Sequence, residues 1–391
     1  MRYVNTFLFL TLLFSCISIN ALAQKKMIDK ITKSVIRMDS VNKAKEARGA
    51  PILSPIIFPG YTPEAGFLLG AGGLLTFSTD KQDTALKRSS LPFIITYSTN
   101  KFFFISLPMQ TYWMRDRIRV SQDLWYKNQP DHYWGVGYEK GSTVPQGDST
   151  TRYMADMWQF APYIGFEFIE NMYVGIPFNL YSVEATDLNP LMEKDEYVIQ
   201  NGTDILHVGI GLGFKYDTRD IPENAYKGFV IAMLGSTYGS FFGGDVSYQT
   251  ITVDYRQYLT IGREGSILAW RVNGRFSSDE TPWTDMSKIG GTSRLRGYFE
   301  SRYRDFGALY SIVEYRRMFM KKNGDPSKHG AVVWIGGGYV KSNNLTLEGV
   351  HILPNYGIGY RLEMQTRMNM RFDVGFGEDT WGIYFGFQEA F

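Results

Sequence analysis

Along most of the chain, apolar and polar positions alternate with a period of two. In LHVGIGLGFKY (206–216), Leu206, Val208, Ile210, Leu212, Phe214 and Tyr216 share one face, while His207, Gly209, Gly211, Gly213 and Lys215 share the other. From Met368 the design repeats: Met368, Met370, Phe372, Val374 and Phe376 oppose Asn369, Arg371 and Asp373. The last stretch, WGIYFGFQEAF (381–391), sets Trp381, Ile383, Phe385, Phe387 and Phe391 against Gly382, Tyr384, Gly386, Gln388 and Ala390. Glu389 interrupts its apolar face, as expected of a residue at a membrane boundary. Alternation and turn residues together predict sixteen strands, beginning near 52, 65, 88, 102, 116, 151, 171, 203, 226, 244, 266, 305, 330, 354, 367 and 380.

An apolar face backed by glycine and charge is inside-out for a small soluble sheet. It suits lipid outside and a wet lumen inside. The count is even, and the longest gaps (129–150, 185–202 and 279–304) all follow odd-numbered strands. With the first strand rising from the periplasm, the long loops are external. The expected fold is all-β: a 16-stranded antiparallel transmembrane β-barrel over residues 51–391, with an external loop folded into the lumen.

Two segments precede that pattern. Arg2, the apolar run FLFLTLLFSCISI (7–19) and Ala21-Leu22-Ala23 read as a cleavable signal peptide over 1–23, so export to the outer membrane of a Gram-negative bacterium is expected. Cleavage there removes Cys16, the one cysteine. A lipoprotein box at Leu13–Cys16 fits less well because of Phe14. In residues 24–50, Ile28, Ile31, Val35 and Met38 follow a helical spacing and predict one short amphipathic helix or leader.

Composition sharpens the membrane reading. The chain is 16% aromatic with 40 glycines, yet its mean hydropathy is −0.21. A strand-spanning protein has this profile because every second residue faces away from lipid. Net charge is +2 without a basic block, so nucleic acid is not an expected partner. No catalytic constellation emerges, and no enzyme activity, metal or cofactor is expected. Of His132, His207, His329 and His351, His207 alone sits within a strand on the lumenal side, and no serine motif accompanies it. Asp217, Asp220 and Glu223 in DTRDIPENAYKG read as a capped turn in preference to a calcium loop.

The most informative run is GGTSRLRGY (290–298), inside the longest loop. A planar guanidinium pairs bidentately with carboxylates, and glycine lets backbone approach a wall closely. Gly290, Gly291, Arg294, Arg296, Gly297 and Tyr298 therefore predict a loop folded back into a polar cavity.

GGTSRLRGYFESRYRD (290–305) resembles the sixth external loop of the BamA/TamA superfamily, whose hallmark is an Arg-Gly-aromatic motif after a small apolar residue, here Leu295-Arg296-Gly297-Tyr298. YTPEAGFLLGAG (61–72), YWGVGY (133–138), YDTRDIPENAYKGF (216–229), VEYR (313–316) and MRFDVGFG (370–377) agree in order, so the resemblance covers residues 50–391. It implies that the loop descends the lumen and that Arg296 pairs with acids on the inner wall. Strand parity nominates Glu314 and Asp373, with Arg294, Gly290 and Gly291 as secondary loop contacts. The family often carries F-x-D-x-G where this chain has Trp334-Ile335-Gly336-Gly337-Gly338, and Gly336 cannot accept a guanidinium. Residues 24–50 are also too few for polypeptide-transport-associated (POTRA) domains.

The resemblance implies a role in outer-membrane protein assembly or polypeptide transport, with a separate partner supplying the periplasmic contacts. Its expected surroundings are outer-membrane lipid and lipopolysaccharide, with periplasmic or outer-membrane assembly proteins as partners. The alternatives are a structural or scaffolding barrel of an envelope complex, and a small-solute channel. Finally, Pro51, Pro55 and Pro59 each lack a ladder donor, which predicts short or irregular pairing between the first and last strands.

Overall fold

The computed structural model describes residues 42, 44, 45, 48–62, 66–83, 85–342 and 349–391. The expected signal peptide and the helical positions Ile28–Met38 lie outside them. The chain divides into two units, Met1–Ile52 and Leu53–Phe391. In the first, a helical segment closes where the Arg48 and Ala50 N–H groups donate to the Lys45 carbonyl at 3.1 and 2.9 Å.

The second unit is nearly all β. Its strands are β1 (Ile52–Thr62), β2 (Gly66–Phe77), β3 (Ser89–Ser98), β4 (Phe103–Ser106), β5 (Met109–Trp113), β6 (Ile118–His132), β7 (Arg152–Ile169), β8 (Met172–Thr186), β9 (Asp204–Asp217) and β10 (Gly228–Tyr238). They continue with β11 (Tyr248–Thr260), β12 (Ser266–Ser277), β13 (Ser287–Ile289), β14 (Tyr303–Asp305), β15 (Gly307–Met320), β16 (Pro326–Lys341), β17 (Leu353–Gln365), β18 (Met368–Phe376) and β19 (Trp381–Phe387). β1 pairs with β2, and neighbours in sequence pair antiparallel from there to β12. β12 then bonds β15, passing over a separate β13–β14 hairpin, and the meander runs on to β19.

Sixteen strands are predicted, and the sheet holds seventeen. β4 and β5 are successive pieces between the same two neighbours, β3 and β6, so they act as one broken stave. β13 and β14 are not predicted from the sequence; three-residue strands within a loop are too short for alternation to register.

The alternation is physical. Leu212 and Ile335 are 65% and 67% exposed, values that suit a lipid-facing band, while their strand neighbours on the opposite parity turn inward. One part of the lumen departs from the wet interior predicted for it. Ile289, Leu295, Tyr298 and Tyr303 of the 278–306 loop pack on Tyr310, Ile312, Val332 and Trp334 of the wall as a buried apolar cluster. The chain's end is a second correction. β19 stops at Phe387, and Gln388 takes a left-handed φ of 67°, which swings the backbone inward. Phe391, expected against lipid, is buried beside Tyr258, and Glu389, expected at a membrane boundary, is buried among arginines.

β1 runs through Pro55 and Pro59. Among the described residues no ladder register joins β1 to β19. The two meet through side chains, with the Phe58 and Phe385 rings stacked at 3.6 Å.

Candidate functional site

The 278–306 loop turns back on itself through the β13–β14 hairpin, whose register runs Ser287↔Asp305 to Ile289↔Tyr303. The hairpin carries Gly290–Arg302 as its apex. Gly290, Gly291 and Gly297 all have positive φ. Gly297, at 119°, is the most constrained, because a Cβ there would collide with the backbone of Phe376 and Gly377. Its N–H donates to the Tyr384 hydroxyl at 2.9 Å, and its carbonyl accepts from Thr380 Oγ1. Tyr298 donates to the Pro354 carbonyl at 2.7 Å and accepts from the Glu378 N–H at 2.8 Å. Asn355 Nδ2 donates to the Arg296 carbonyl, so the apex is stitched to β17, β19 and the 377–380 turn.

The Arg296 side chain is fully buried between Glu314 on β15 and Asp373 on β18. Nη1 donates to Asp373 Oδ2 at 2.6 Å and Nη2 to Glu314 Oε1. Its guanidinium carbon lies 3.7 Å from the centroid of the Trp334 ring, and Trp334 Nε1 donates to Asn355 Oδ1 at 3.0 Å. The departure at Gly336 thus has a structural counterpart. Two residues earlier on the same lumenal face, Trp334 offers its π face to the cation where the family pattern offers a carboxylate.

Neither acid serves Arg296 alone. Asp373 also accepts from Arg361 Nη1 at 2.6 Å and Arg371 Nη1 at 2.9 Å, and Glu314 accepts from Arg316 Nε at 2.9 Å. Glu389 accepts from Arg361 Nε at 2.7 Å, which closes a chain of alternating charge around the lumen wall. Inward-facing charges two residues apart, Glu314/Arg316 and Arg371/Asp373, are the sequence signal for this extension, since alternate residues share a face. Nothing comparable signals Glu389, whose placement depends on the left-handed Gln388. A buried network of this kind fixes position: removing one member uncovers the rest.

Of the other nominated residues, Gly290 and Gly291 shape the apex, and Gly291 N–H donates to the Tyr298 carbonyl at 3.2 Å. Arg294 stands apart from the cluster. It is partly exposed and reaches Glu300 in its own loop at 3.5 Å. His207 ties the loop to β9, its ring nitrogens lying 2.8 Å from the Tyr248 hydroxyl and 2.9 Å from Thr284 Oγ1. From the 133–138 segment, Tyr133 packs on Trp283 and Trp134 on Phe299. At the other end of the barrel, Asp217 bonds Arg219 and Arg119, Asp220 bonds Arg367, and Glu223 accepts from the Tyr112 hydroxyl at 3.1 Å. These acids do not converge, and the described residues contain no group of three acids or histidines suited to a metal.

An antiparallel barrel with lipid-facing apolar staves and an arginine-bearing loop held in its lumen belongs to the class of integral outer-membrane barrels. Residues 77–388 match the Omp85 superfamily domain, and the chain belongs to that superfamily. Its fold is similar to BamA from Haemophilus ducreyi lacking POTRA domains 1–3, at 15% identity and a TM-score of 0.53, covering 87% of this chain and 69% of that one. CdiB from Escherichia coli gives 11% and 0.55, covering 86% of this chain and 62% of that one. CdiB from Acinetobacter baumannii gives 12% and 0.50, covering 86% and 59%. The chain thus spans less than two thirds of either CdiB. At such identities the likeness is one of fold. No curated protein matches the chain.

Proposed function

We propose that this barrel acts in outer-membrane protein assembly or polypeptide transport, with a separate partner receiving clients on the periplasmic side. The observation that carries the reading is the pairing of a pinned lumen loop with a first and last strand that share side-chain contacts and, among the described residues, no ladder register. A loop bonded to β15, β17, β18 and β19 holds one side of the barrel rigid. Among the described residues the β1–β19 junction is held by stacked rings and no ladder register, and a strand edge opened there is a template for an incoming strand. A small-solute channel is disfavoured by the packed loop within the lumen. Arg296, with Glu314 and Asp373, is assigned the role of loop lock, and Gly297 and Tyr298 that of fixing the apex.

Cysteine pairs placed across β1 and β19 test the reading in barrels reconstituted into liposomes with an unfolded barrel client and a periplasmic extract. Oxidation should abolish the acceleration of client folding, and reduction should restore it. Acceleration that survives complete crosslinking would overturn the proposal.

A further inference from the structure

The turn between β9 and β10 does more than join two strands. Residues 366–367 suffice to connect β17 to β18, whereas 218–227 folds across the periplasmic mouth. Its neck is fixed. Thr218 N–H donates to the Phe229 carbonyl at 2.9 Å, and a Cβ at Gly228, whose φ is 94°, would collide with the Thr218 carbonyl. Two acids brace the turn. Arg219 Nε and Nη2 donate to Asp217 at 2.7 and 2.8 Å, and the Ile221 and Tyr226 N–H groups donate to Asp220 Oδ1 at 2.9 and 3.0 Å.

From this neck the turn reaches far around the barrel in both directions. One way, past β8, β7 and β6, Glu223 accepts from the Tyr112 hydroxyl of β5 at 3.1 Å and from Ser90 Oγ of β3 at 3.5 Å. The other way, past β11, β12, β15 and β16, it meets Arg367 in the β17–β18 turn. Arg367 Nε and Nη2 donate to the Asn224 carbonyl at 3.2 and 2.6 Å, and Nη2 donates to Asp220 Oδ2 at 3.0 Å. Its guanidinium carbon lies 3.3 Å from the centroid of the Tyr226 ring. Ala225 shares a buried cluster with Ala390 and Phe391, which follow β19.

These anchors fall on the two flanks of the β1–β19 junction. Ser90 and Tyr112 stand on the β1 side, and Arg367, Ala390 and Phe391 on the β19 side. A shorter tie lies beside them. Gln365 Nε2, at the foot of β17, donates to Ser54 Oγ of β1 at 3.0 Å, and its Oε1 accepts from Thr76 Oγ1 of β2 at 2.6 Å. A strap bonded to both flanks opposes their separation, because widening must break its bonds on one side or the other. Those bonds are few and directional, and they part without disturbing any strand ladder.

We propose that the 218–227 turn is a clasp that holds the β1–β19 junction shut from the periplasmic mouth, fastened by Arg367 on one flank and by Tyr112 on the other. The clasp regulates the seam of the proposed function and rests on that reading. Displacing the turn frees the two flanks to move apart, a shift between closed and open populations.

Electron–electron distance measurement on spin-labelled full chain in nanodiscs tests this, in a Cys16→Ser background. Lys81→Cys and Lys322→Cys place labels on exposed periplasmic turns either side of the junction, and Glu170→Cys with Glu264→Cys gives a pair on the wall away from it. The first pair should show one narrow distance. Arg367→Ala should raise the ratio of longer to shorter distances about tenfold, and Tyr112→Phe, which keeps the ring and loses the hydroxyl, about threefold. Arg367→Lys should recover part of the closed population, since an ammonium reaches Asp220 but cannot fork onto the Asn224 carbonyl as well. If Arg367→Ala fails to fold, Tyr112→Phe decides. Unchanged distances in variants of native heat-modifiable gel mobility would overturn the proposal. So would equal broadening of the Glu170–Glu264 pair, which would mean that the turn stabilises the whole barrel and not the junction. No client or periplasmic extract is present, so the clasp can fail while the assembly reading stands.

Discussion

Where the 278–306 loop meets β15–β19, guanidiniums and carboxylates interlock at 2.6–2.9 Å with almost no exposed surface. Where the same loop faces β2–β4, it meets a cavity, and the strands beyond it close on β19 through stacked rings. The first region resists displacement because every movement uncovers a buried charge. The second can yield for the loss of apolar contacts, which are non-directional and re-form elsewhere. β19 serves both regions: Tyr384 anchors the loop apex, and Phe385 stacks on Phe58 at the junction with β1. The proposed function requires the seam to loosen while the plug stays fixed. In the same physical terms, the pinned side is where substitutions should be costly.

The largest effect is expected at Asp373, which accepts from Arg296, Arg361 and Arg371. Asp373→Ala leaves three buried guanidiniums short of a partner and should cost about 3–5 kcal/mol. Arg296→Ala should cost less, about 2–4 kcal/mol, because Glu314 keeps Arg316, and Asp373 keeps two arginines. Arg296→Lys should restore part of the loss, since an ammonium cannot span both carboxylates. Thermal unfolding in detergent gives the ranking, and chymotrypsin cleavage at Tyr298 and Phe299 reports release of the apex. If Arg296→Ala proves as damaging as Asp373→Ala, the cluster is a single pair with bystanders and the comparison loses its basis.

That Asp373 outranks Arg296 is a lesson the sequence offers only in part. Alternation exposes the lumenal faces, so Glu314, Asp373 and their i±2 arginines are all visible as inward charges on predicted strands. The loop motif identifies the incoming guanidinium. Trp334 is legible as inward-facing, but its use as a cation's π platform depends on the height at which the loop stops, a tertiary distance with no local signature. Asn355, Thr380 and Glu389 are hidden for the same reason. The inward turn of the last residues hinges on one left-handed glutamine, which strict alternation cannot foresee. The broken stave β4/β5 reads as one strand because its two pieces keep the same neighbours.

Asp305 sharpens the comparison within the loop itself. It closes the β13–β14 hairpin, is buried, and is raised to about 6 by burial, an effect its bond from the Phe306 N–H only partly offsets. The sign follows from proton binding. The folded hairpin holds the proton more tightly than the unfolded chain, whose carboxyl titrates near 3.9, so ionisation opposes folding. The penalty is absent below about pH 4, grows between 4 and 6, and is complete above 6, at about 2–3 kcal/mol. Asp305→Asn should remove it. Hydrogen exchange of residues 287–305 should then be slower in the variant at pH 7 and equal in the two proteins near pH 4. Slower exchange in the wild-type chain at pH 7 would show that the ionised carboxylate has a partner that outweighs its burial.

The smallest effect belongs to Arg294, two residues from Arg296 in the same run. It is partly exposed, and its partner Glu300 is at 3.5 Å, so the pair is wetted and screened. Arg294→Ala should cost less than about 1 kcal/mol. Chymotrypsin is again the reporter of choice, because removing an arginine also removes a trypsin site. An unchanged cleavage rate beside a large change for Arg296→Ala would show that depth in the lumen, and not membership of the motif, decides which arginine holds the loop. Equal effects from the two would mean that the run acts as one electrostatic block. The contrast between buried lock and wetted rim would then have to be redrawn around its summed charge.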